Sequence, residues 1–355
     1  MQRIINYQAL IRPLSRIEVS DYESRMRDRP EFASTAFLIQ VVLVPALLVP
    51  YTLVFIGFAI MNWTSLTGDI AAGSAVEISD ALFPLVLLAG LVVAVVFVVR
   101  RVIAHRGRWS RWLRLTEFAS SNGLSYAPAS ASPSYPGAIF GLGNARSALD
   151  HFRAVGESSL DYGNYRYSTG SGRSRTTHNW GFLALSLERS LPHMVLDSRA
   201  NNGLFGLTNL PATFRKEQVL SLEGDFDKYF TLYCPREYER DALYVFTPDL
   251  MALLIDTAAP FDVEVVDRWL FVYSKTPLDM AQPAVHQRLL HIVDTVGAKT
   301  LSQTDRYLDE RIGEFSANMV APQGQRLSRA FPVGATIVVV AFLVFWFAPI
   351  VLRYF

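Results

Sequence analysis

Apolar and polar positions follow two regimes along the chain. In three stretches they do not alternate at all: Phe32–Gly68, Ala81–Val99 and Ala330–Leu352 hold no charged residue. Elsewhere the pattern shifts between helical and strand periods every ten residues or so. A helix needs about 20 apolar residues to cross a hydrocarbon core of about 30 Å. The pattern therefore predicts three transmembrane helices, over 36–62, 81–104 and 331–353, joined to an α+β domain over 105–330. Pro45 and Pro50 would kink the first helix without forbidding it, because neighbouring groups satisfy freed carbonyls in membrane helices. Trp346 sits where an interfacial aromatic belt would lie.

Arginines set the expected orientation. Arg3, Arg12, Arg16, Arg25, Arg27 and Arg29 precede the first apolar stretch, and no Lys or Arg occurs from Asn62 to Asp80. Arg100, Arg101, Arg106, Arg108, Arg111 and Arg114 follow the second, and Arg326 and Arg329 precede the third. The positive-inside rule then makes 1–35 a cytoplasmic segment, 63–80 a short extracellular loop and 105–330 cytoplasmic. The C-terminus is extracellular in this scheme, with Arg353 the one dissenting charge. About 35 mostly polar residues before the first stretch argue against a secretory signal. The expected location is the plasma membrane, multi-pass. No ionisable residue interrupts the three stretches, so they read as anchors, not a conduction path; Gln40 reads as an inter-helix hydrogen bond.

After the second stretch, RRVIAHRGRWSRWLRLTEFASSNGL (100–124) continues helical spacing and leads into the first domain helix, which ends at Asn122-Gly123 as a C-cap. Ala127–Gly137 is rich in Pro, Ser and Ala and reads as a linker. Tyr165–Ser168 and Trp180–Leu187 read as strands around a Gly/Ser/Arg loop, with Met194–Asp197 as a further strand. Glu217–Leu222 and Tyr229–Tyr233 read as strands separated by the acidic turn Glu223-Gly224-Asp225. Pro235–Val245 is helical, and Thr247-Pro248-Asp249 opens another helix. Asp262–Asp267 and Trp269–Ser274 suggest a hairpin. Pro283–Gly313 is helical with a break at Gly297.

Composition narrows the function classes. The net charge of +1 excludes a strongly basic nucleic-acid binder, and 51% hydrophobic residues exclude a disordered chain. Only 18% of residues are charged; setting the apolar stretches aside raises the rest to roughly 22%, near the globular average of about 25%. A single cysteine excludes a disulfide framework and multi-cysteine metal sites.

Three segments, FASSNGLSY (118–126), GNYRYSTGSG (163–172) and LEGDFDKYFTLYCPREYERDALYVFTPDLMALL (222–254), resemble an uncharacterised family of bacterial membrane proteins of actinobacterial type. There a cytoplasmic domain of unknown function follows two membrane helices. The resemblance covers most of 81–313. It implies shared fold elements and carries no activity or site residues.

Candidate chemistry is sparse. Cys234 leaves a strand before Pro235 at a helix start with Arg236 nearby, a setting that lowers a thiol pKa. Its C-x5-R spacing to Arg240 matches cysteine phosphatases, but Glu237 and Glu239 would repel phosphate and no glycine wraps it; a buried or capping cysteine is the plainer reading. His193 and Asp197 supply a base and an acid with Ser186 or Ser190 as nucleophile, without a G-x-S-x-G elbow. Asp225 and Asp227 read as a solvated turn. Arg106, Arg108, Arg111 and Arg114 are candidates for anionic headgroups, or a stop-transfer cluster; Arg173 and Arg175 are candidates for an anion, or an exposed hairpin tip. His286 and His291 are five apart and share no helical face, and His178 and His193 fall on presumed neighbouring strands, so no metal set assembles. No cofactor signature occurs. The expected function is an integral plasma-membrane protein whose anchored cytoplasmic module binds a protein partner at the lipid bilayer, without nucleic acid. The alternatives are a membrane-tethered enzyme of unrecognised type, centred on Cys234 or His193/Asp197, and a ligand or redox sensor.

Overall fold

The computed structural model describes residues 5–32, 50–58, 60–61, 68, 71, 78–156, 160–202, 208–312 and 318–329. It divides into two compact units, one of Arg12–Arg114 and one of Met1–Ile11 with Leu115–Phe355.

In the Arg12–Arg114 unit, helix α1 (Arg16–Met26) starts with a capping box. The Ser15 hydroxyl accepts from the Glu18 N–H at 3.2 Å, and the Glu18 carboxylate accepts from the Ser15 N–H at 2.7 Å. Each bond satisfies a backbone donor the helix itself leaves open. Helix α2 (Ile78–Ser121) is a single element of 44 residues, of which the part up to Arg114 belongs to this unit. Tyr22, Phe32, Trp109 and Leu113 form a small core here, with Phe32 and Trp109 stacked at 6.2 Å.

Among the described residues no helix is long and apolar enough to cross a membrane. This corrects the expected three-helix membrane architecture, its multi-pass plasma-membrane location and its anchored module. The apolar stretch Ala81–Val99 is one part of α2, which runs on unbroken through Arg100–Arg114. The expected helix over 331–353 lies outside the described residues, as does most of that over 36–62.

The other unit is an α+β fold on a seven-stranded sheet, with every pairing antiparallel. Its strands are β1 (Leu124–Ala131), β2 (Asn144–Ala154), β3 (Leu160–Thr169), β4 (Thr176–Ser198), β5 (Val219–Leu220), β6 (Phe230–Tyr233) and β7 (Asp262–Ser274). The order is β1-β2-β3-β4-β6-β5, with β7 along the other edge of β4. β4 is the spine, long enough to pair β3 with one half and β6 with the other.

The two breaks that suggest separate strands in sequence face each other in the structure. β4 shifts register between Ser186 and Met194, and Leu191 there pairs with Asp267 of β7. Asp267 has φ 53°, which suits a bulge better than a hairpin turn. Pro192, which lacks a ladder donor, occupies the irregular part of β4. Met194–Asp197 is thus the far half of one strand, and Asp262–Ser274 is one bent strand, not a hairpin. Ala127–Ala131, expected as linker, pairs with β2. Small side chains carry little strand signal of their own, and pairing decides.

Both sheet faces are buried. One packs Tyr162, Leu183, Met194, Leu196, Val263 and Val272 against helices α3 (Glu239–Val245), α4 (Pro248–Leu253), α5 (Pro283–Ile292) and α6 (Ala298–Thr304). π-helical turns follow α4 at Leu254–Ala258 and α5 at Val293–Gly297. The other face packs Tyr165, Trp180, Phe182, Phe271 and Tyr273 under irregular chain carrying Phe140, Leu210, Phe214 and Leu327.

Candidate functional site

Side chains alternate across a strand, so His193, Val195 and Asp197 of β4 share the aromatic face with Asp262, Glu264 and Val266 of β7. Val195 pairs with Glu264 and Leu196 with Val263; one further step sets Asp197 opposite Asp262. The aromatic face therefore carries a row of buried polar groups, and this row is where the chemistry of the molecule concentrates.

His193 and Asp197 are not brought together. His193 Nδ1 accepts from the Leu327 N–H at 3.0 Å, so Nε2 carries the proton and donates to Glu264 Oε1 at 2.8 Å. Glu264 Oε2 accepts from the Ala138 N–H at 2.7 Å and the Tyr273 hydroxyl at 2.6 Å. Every group in this network has a partner. It fastens the covering chain to the sheet.

A second cluster has a serine–histidine–aspartate order that the sequence reading misses. Ser130 Oγ lies 2.7 Å from His151 Nδ1, and His151 Nε2 lies 3.0 Å from Asp161 Oδ1 without the alignment of a hydrogen bond. Tyr135 donates its hydroxyl to Asp161, and Arg153 Nε stands 3.5 Å from the same carboxylate. Ser130 and His151 line none of the principal cavities of the described residues. Pairing of β2 with β1 and β3, with a register shift between Leu149 and Phe152, brings these residues together, and neither has a sequence signal.

One cavity, about 630 Å³, lies beside Trp269, Ser190 and Asn318. Two of its charges are spent on each other, since Arg326 grips Asp267 through both guanidinium nitrogens at 2.9 Å, and Arg268 donates its Nε to the Leu187 carbonyl at 3.3 Å. Ser190 is held by Asn318 through backbone and hydroxyl.

The cleft over Asp197 differs. It encloses about 450 Å³ at the end of β4, between β6 and the chain around Phe214. Asp197, Thr208, Asn202, Tyr233, Arg199 and Lys216 line it over the apolar surface of Leu210 and Phe214. Asp197 is 4% exposed and accepts from the Thr208 hydroxyl at 3.0 Å. Burial raises its pKa, against the lowering effects of Thr208, Asn202 and Arg199. Burial pushes neighbouring Asp262 up to about 7, opposed by the Ser198 N–H and reinforced by the charge of Asp197. Arg199 and Lys216 are exposed, and the ion pairs of the described residues include neither.

The remaining sequence candidates are scattered. Cys234 is buried, 1% exposed, and its thiol is pushed up to about 12 by burial, then by Glu239 and Asp241, so a thiolate is disfavoured there. Arg173 and Arg175 are exposed at the tip between β3 and β4, around a turn over Gly172–Ser174. On α2, Arg106 is exposed and Arg108 stands 5.8 Å over the Trp112 ring; Arg111 and Arg114 are half-buried. His178 and His193 belong to one strand, β4. Among the described residues no group of three or more His, Cys, Asp or Glu gathers to hold a metal.

The fold and cleft define an α+β protein with a two-faced antiparallel sheet and a polar cleft at one end of its spine. No family model matches the chain, and no curated protein matches it. A crystal structure of the mycobacterial trehalose monomycolate transport factor A, TtfA, is similar at 13% identity and a TM-score of 0.34, over 51% of this chain and 92% of that one. A likeness of that degree assigns neither fold family nor function.

Proposed function

We propose that this protein is a binding module for a small organic phosphate, seated in the cleft over Asp197. The carrying observation is the pair of exposed cations, Arg199 and Lys216, lining the same cleft as a row of hydroxyl and amide groups. Guanidinium and ammonium groups are natural partners for phosphate oxygens. Thr208, Asn202 and Tyr233 supply hydrogen bonds for a hydroxyl-bearing remainder, and Leu210 and Phe214 supply its apolar contact. Ligand sites of this kind pair an apolar floor with a few placed polar groups. The lining holds no histidine and no cysteine, which favours binding over acid–base or nucleophilic catalysis.

Calorimetric titration with inorganic phosphate and with glycerol 3-phosphate tests the reading. Saturable binding is expected, tighter for the ester, with a loss of at least about tenfold in R199A/K216A, since each charge-assisted contact contributes about 1.5–3 kcal/mol. Both side chains are exposed, so the double variant keeps its fold. Absence of saturation at millimolar ligand, or equal binding by the variant, overturns the reading.

A further inference from the structure

Away from the cleft, strands β1, β2 and β3 bring a hydroxyl, an imidazole and a carboxylate into line. Ser130 stands opposite Ala148 of β2, and Asp161 of β3 stands opposite Arg153. His151 lies between them, with Nδ1 2.7 Å from Ser130 Oγ and Nε2 3.0 Å from Asp161 Oδ1. His151 and Asp161 are buried, while Ser130 is half-buried on β1, the edge strand of the sheet. The row therefore runs from a buried acid to a hydroxyl that reaches the surface.

The acid sets the direction of the protons. Asp161 accepts from the Tyr135 hydroxyl and has Arg153 Nε at 3.5 Å, the kind of partners an ionised carboxylate takes. Such a carboxylate beside Nε2 favours the tautomer with the proton on that nitrogen. Nδ1 is then the acceptor, and the Ser130 hydroxyl points its proton at it. His193 makes the contrast: there the nitrogen away from the acid accepts from a backbone N–H, and here it faces a hydroxyl that can give its proton up. A hydroxyl, a base and a third group orienting the base are the parts of an activated nucleophile. The Nε2–Asp161 contact lacks hydrogen-bond alignment, as catalytic contacts often do before substrate binds.

We propose that Ser130, His151 and Asp161 form an acyl-transfer centre that hydrolyses small carboxylic esters. Ser130 Oγ attacks the ester carbonyl carbon while its proton passes to His151 Nδ1, and Asp161 faces the imidazolium that forms. The tetrahedral adduct collapses, the alcohol leaves with the proton from Nδ1, and an acyl-Ser130 ester remains. Water then attacks the acyl carbon and gives a proton to Nδ1. Ser130 Oγ leaves with that proton, and the carboxylic acid is released. Ser130 and His151 are the catalytic residues, and Asp161 is a positioning residue. The immediate neighbours of Ser130 are short, Ala129, Ala131 and, across the pair, Ala148, which suits a small acyl group.

The test treats the full chain with an alkyl fluorophosphonate, which bonds its phosphorus to an activated serine oxygen and releases fluoride. Peptide mass spectrometry locates the modified residue, and turnover of p-nitrophenyl acetate gives a rate. Labelling of Ser130 ahead of the other serines is expected, with turnover at least about a hundredfold lower in S130A. H151Q should label at Ser130 at least about a hundredfold more slowly while circular dichroism reports a folded chain; wild-type labelling decides alone should H151Q fail to fold. D161N separates positioning from packing. The Asp161 carboxylate stabilises the imidazolium, so its loss should move the pH midpoint of the labelling rate downward. The other groups around His151 stay in place: Ser130 of β1, Arg153 of β2, Phe182 of β4 and Tyr135. No preference for Ser130, undiminished labelling in folded H151Q, or a D161N rate that falls with its midpoint unmoved overturns the proposal. None of these residues lines the cleft over Asp197, so the phosphate reading is decided separately.

Discussion

A single carboxyl, Asp262, illustrates how burial sets the terms at the residue scale. An unburied aspartate ionises near pH 3.9, and here burial lifts that to about 7. The folded chain thus holds a proton that the unfolded chain releases. Stability from this group is greatest below about pH 3.9, declines as pH rises toward 7, and is flat above it. At about 1.4 kcal/mol per pKa unit the decline amounts to a few kcal/mol. The groups facing it are Asp197, the Ser198 N–H, Asn201 and Lys275, and all persist in D262N. The difference in unfolding free energy between wild type and D262N, measured by urea denaturation in EDTA, should therefore move against the wild type between pH 4.5 and 7.5. A difference that stays constant with pH would mean that Asp262 is ionised throughout that range. Cys234 shows the same physics with the opposite lesson: its flanking Pro235 and Arg236 suggest a reactive thiol, yet burial and two acids raise its pKa.

At the scale of elements, His286 ties α5 to the sheet. It is fully buried, with Nε2 2.8 Å from the Met280 carbonyl and Nδ1 3.2 Å from the Tyr162 hydroxyl of β3. Since a carbonyl only accepts, Nε2 carries the proton and Nδ1 accepts from Tyr162. Burial lowers the His286 pKa to about 4. The unfolded chain therefore takes up a proton between about pH 6.5 and pH 4 that the folded chain refuses, and stability is lost as pH falls through that window. H286Q keeps one donor for Met280 but packs less well. It should be less stable by about 1–2 kcal/mol at pH 7.5, with the gap closing toward pH 4.5. A gap independent of pH would show that the folded imidazole takes up its proton as readily as the unfolded one. The helix carrying His286 is legible in sequence, because Pro283 opens it and its apolar positions follow a helical period. Strand existence is also legible from runs such as Trp180–Leu187. Connectivity is not. The breaks at Ser186–Met194 and at Asp267 read as chain reversals, because Pro192 and charged residues usually mark turns. Only cross-strand pairing of Leu191 with Asp267 turns both into bends of continuous strands. The site suffers from the same cause. Asp197 is nominated by its type, but Asp262 reaches it through strand register, and Asn202 and Thr208 join it from the chain after β4, none of which has a sequence signature.

At the scale of the molecule, the two sheet faces are closed by different means. Helices α3–α6 cover one face through a broad apolar contact. The aromatic face is covered by irregular chain, which lacks helical periodicity and must be pinned. Glu264 is the main pin: His193, Ala138 and Tyr273 donate to it, while Leu327 is held through the far nitrogen of His193. One carboxylate thereby joins two covering segments, around 138 and around 327, that are distant in sequence. All its partners are donors, and an amide in its place would point one N–H₂ at a donor whichever way it turned; only the Tyr273 hydroxyl can rotate to accept. E264Q should cost about 2–4 kcal/mol. The cost should be localised. Hydrogen exchange followed by mass spectrometry should show 136–142 and 320–328 losing protection together, while α3–α6 on the opposite face keep theirs until global unfolding. Uniform loss across both faces would mean that Glu264 serves the core as a whole. Loss in one segment alone would mean that the two are anchored independently, and the covering of the aromatic face would then not act as one cooperative layer.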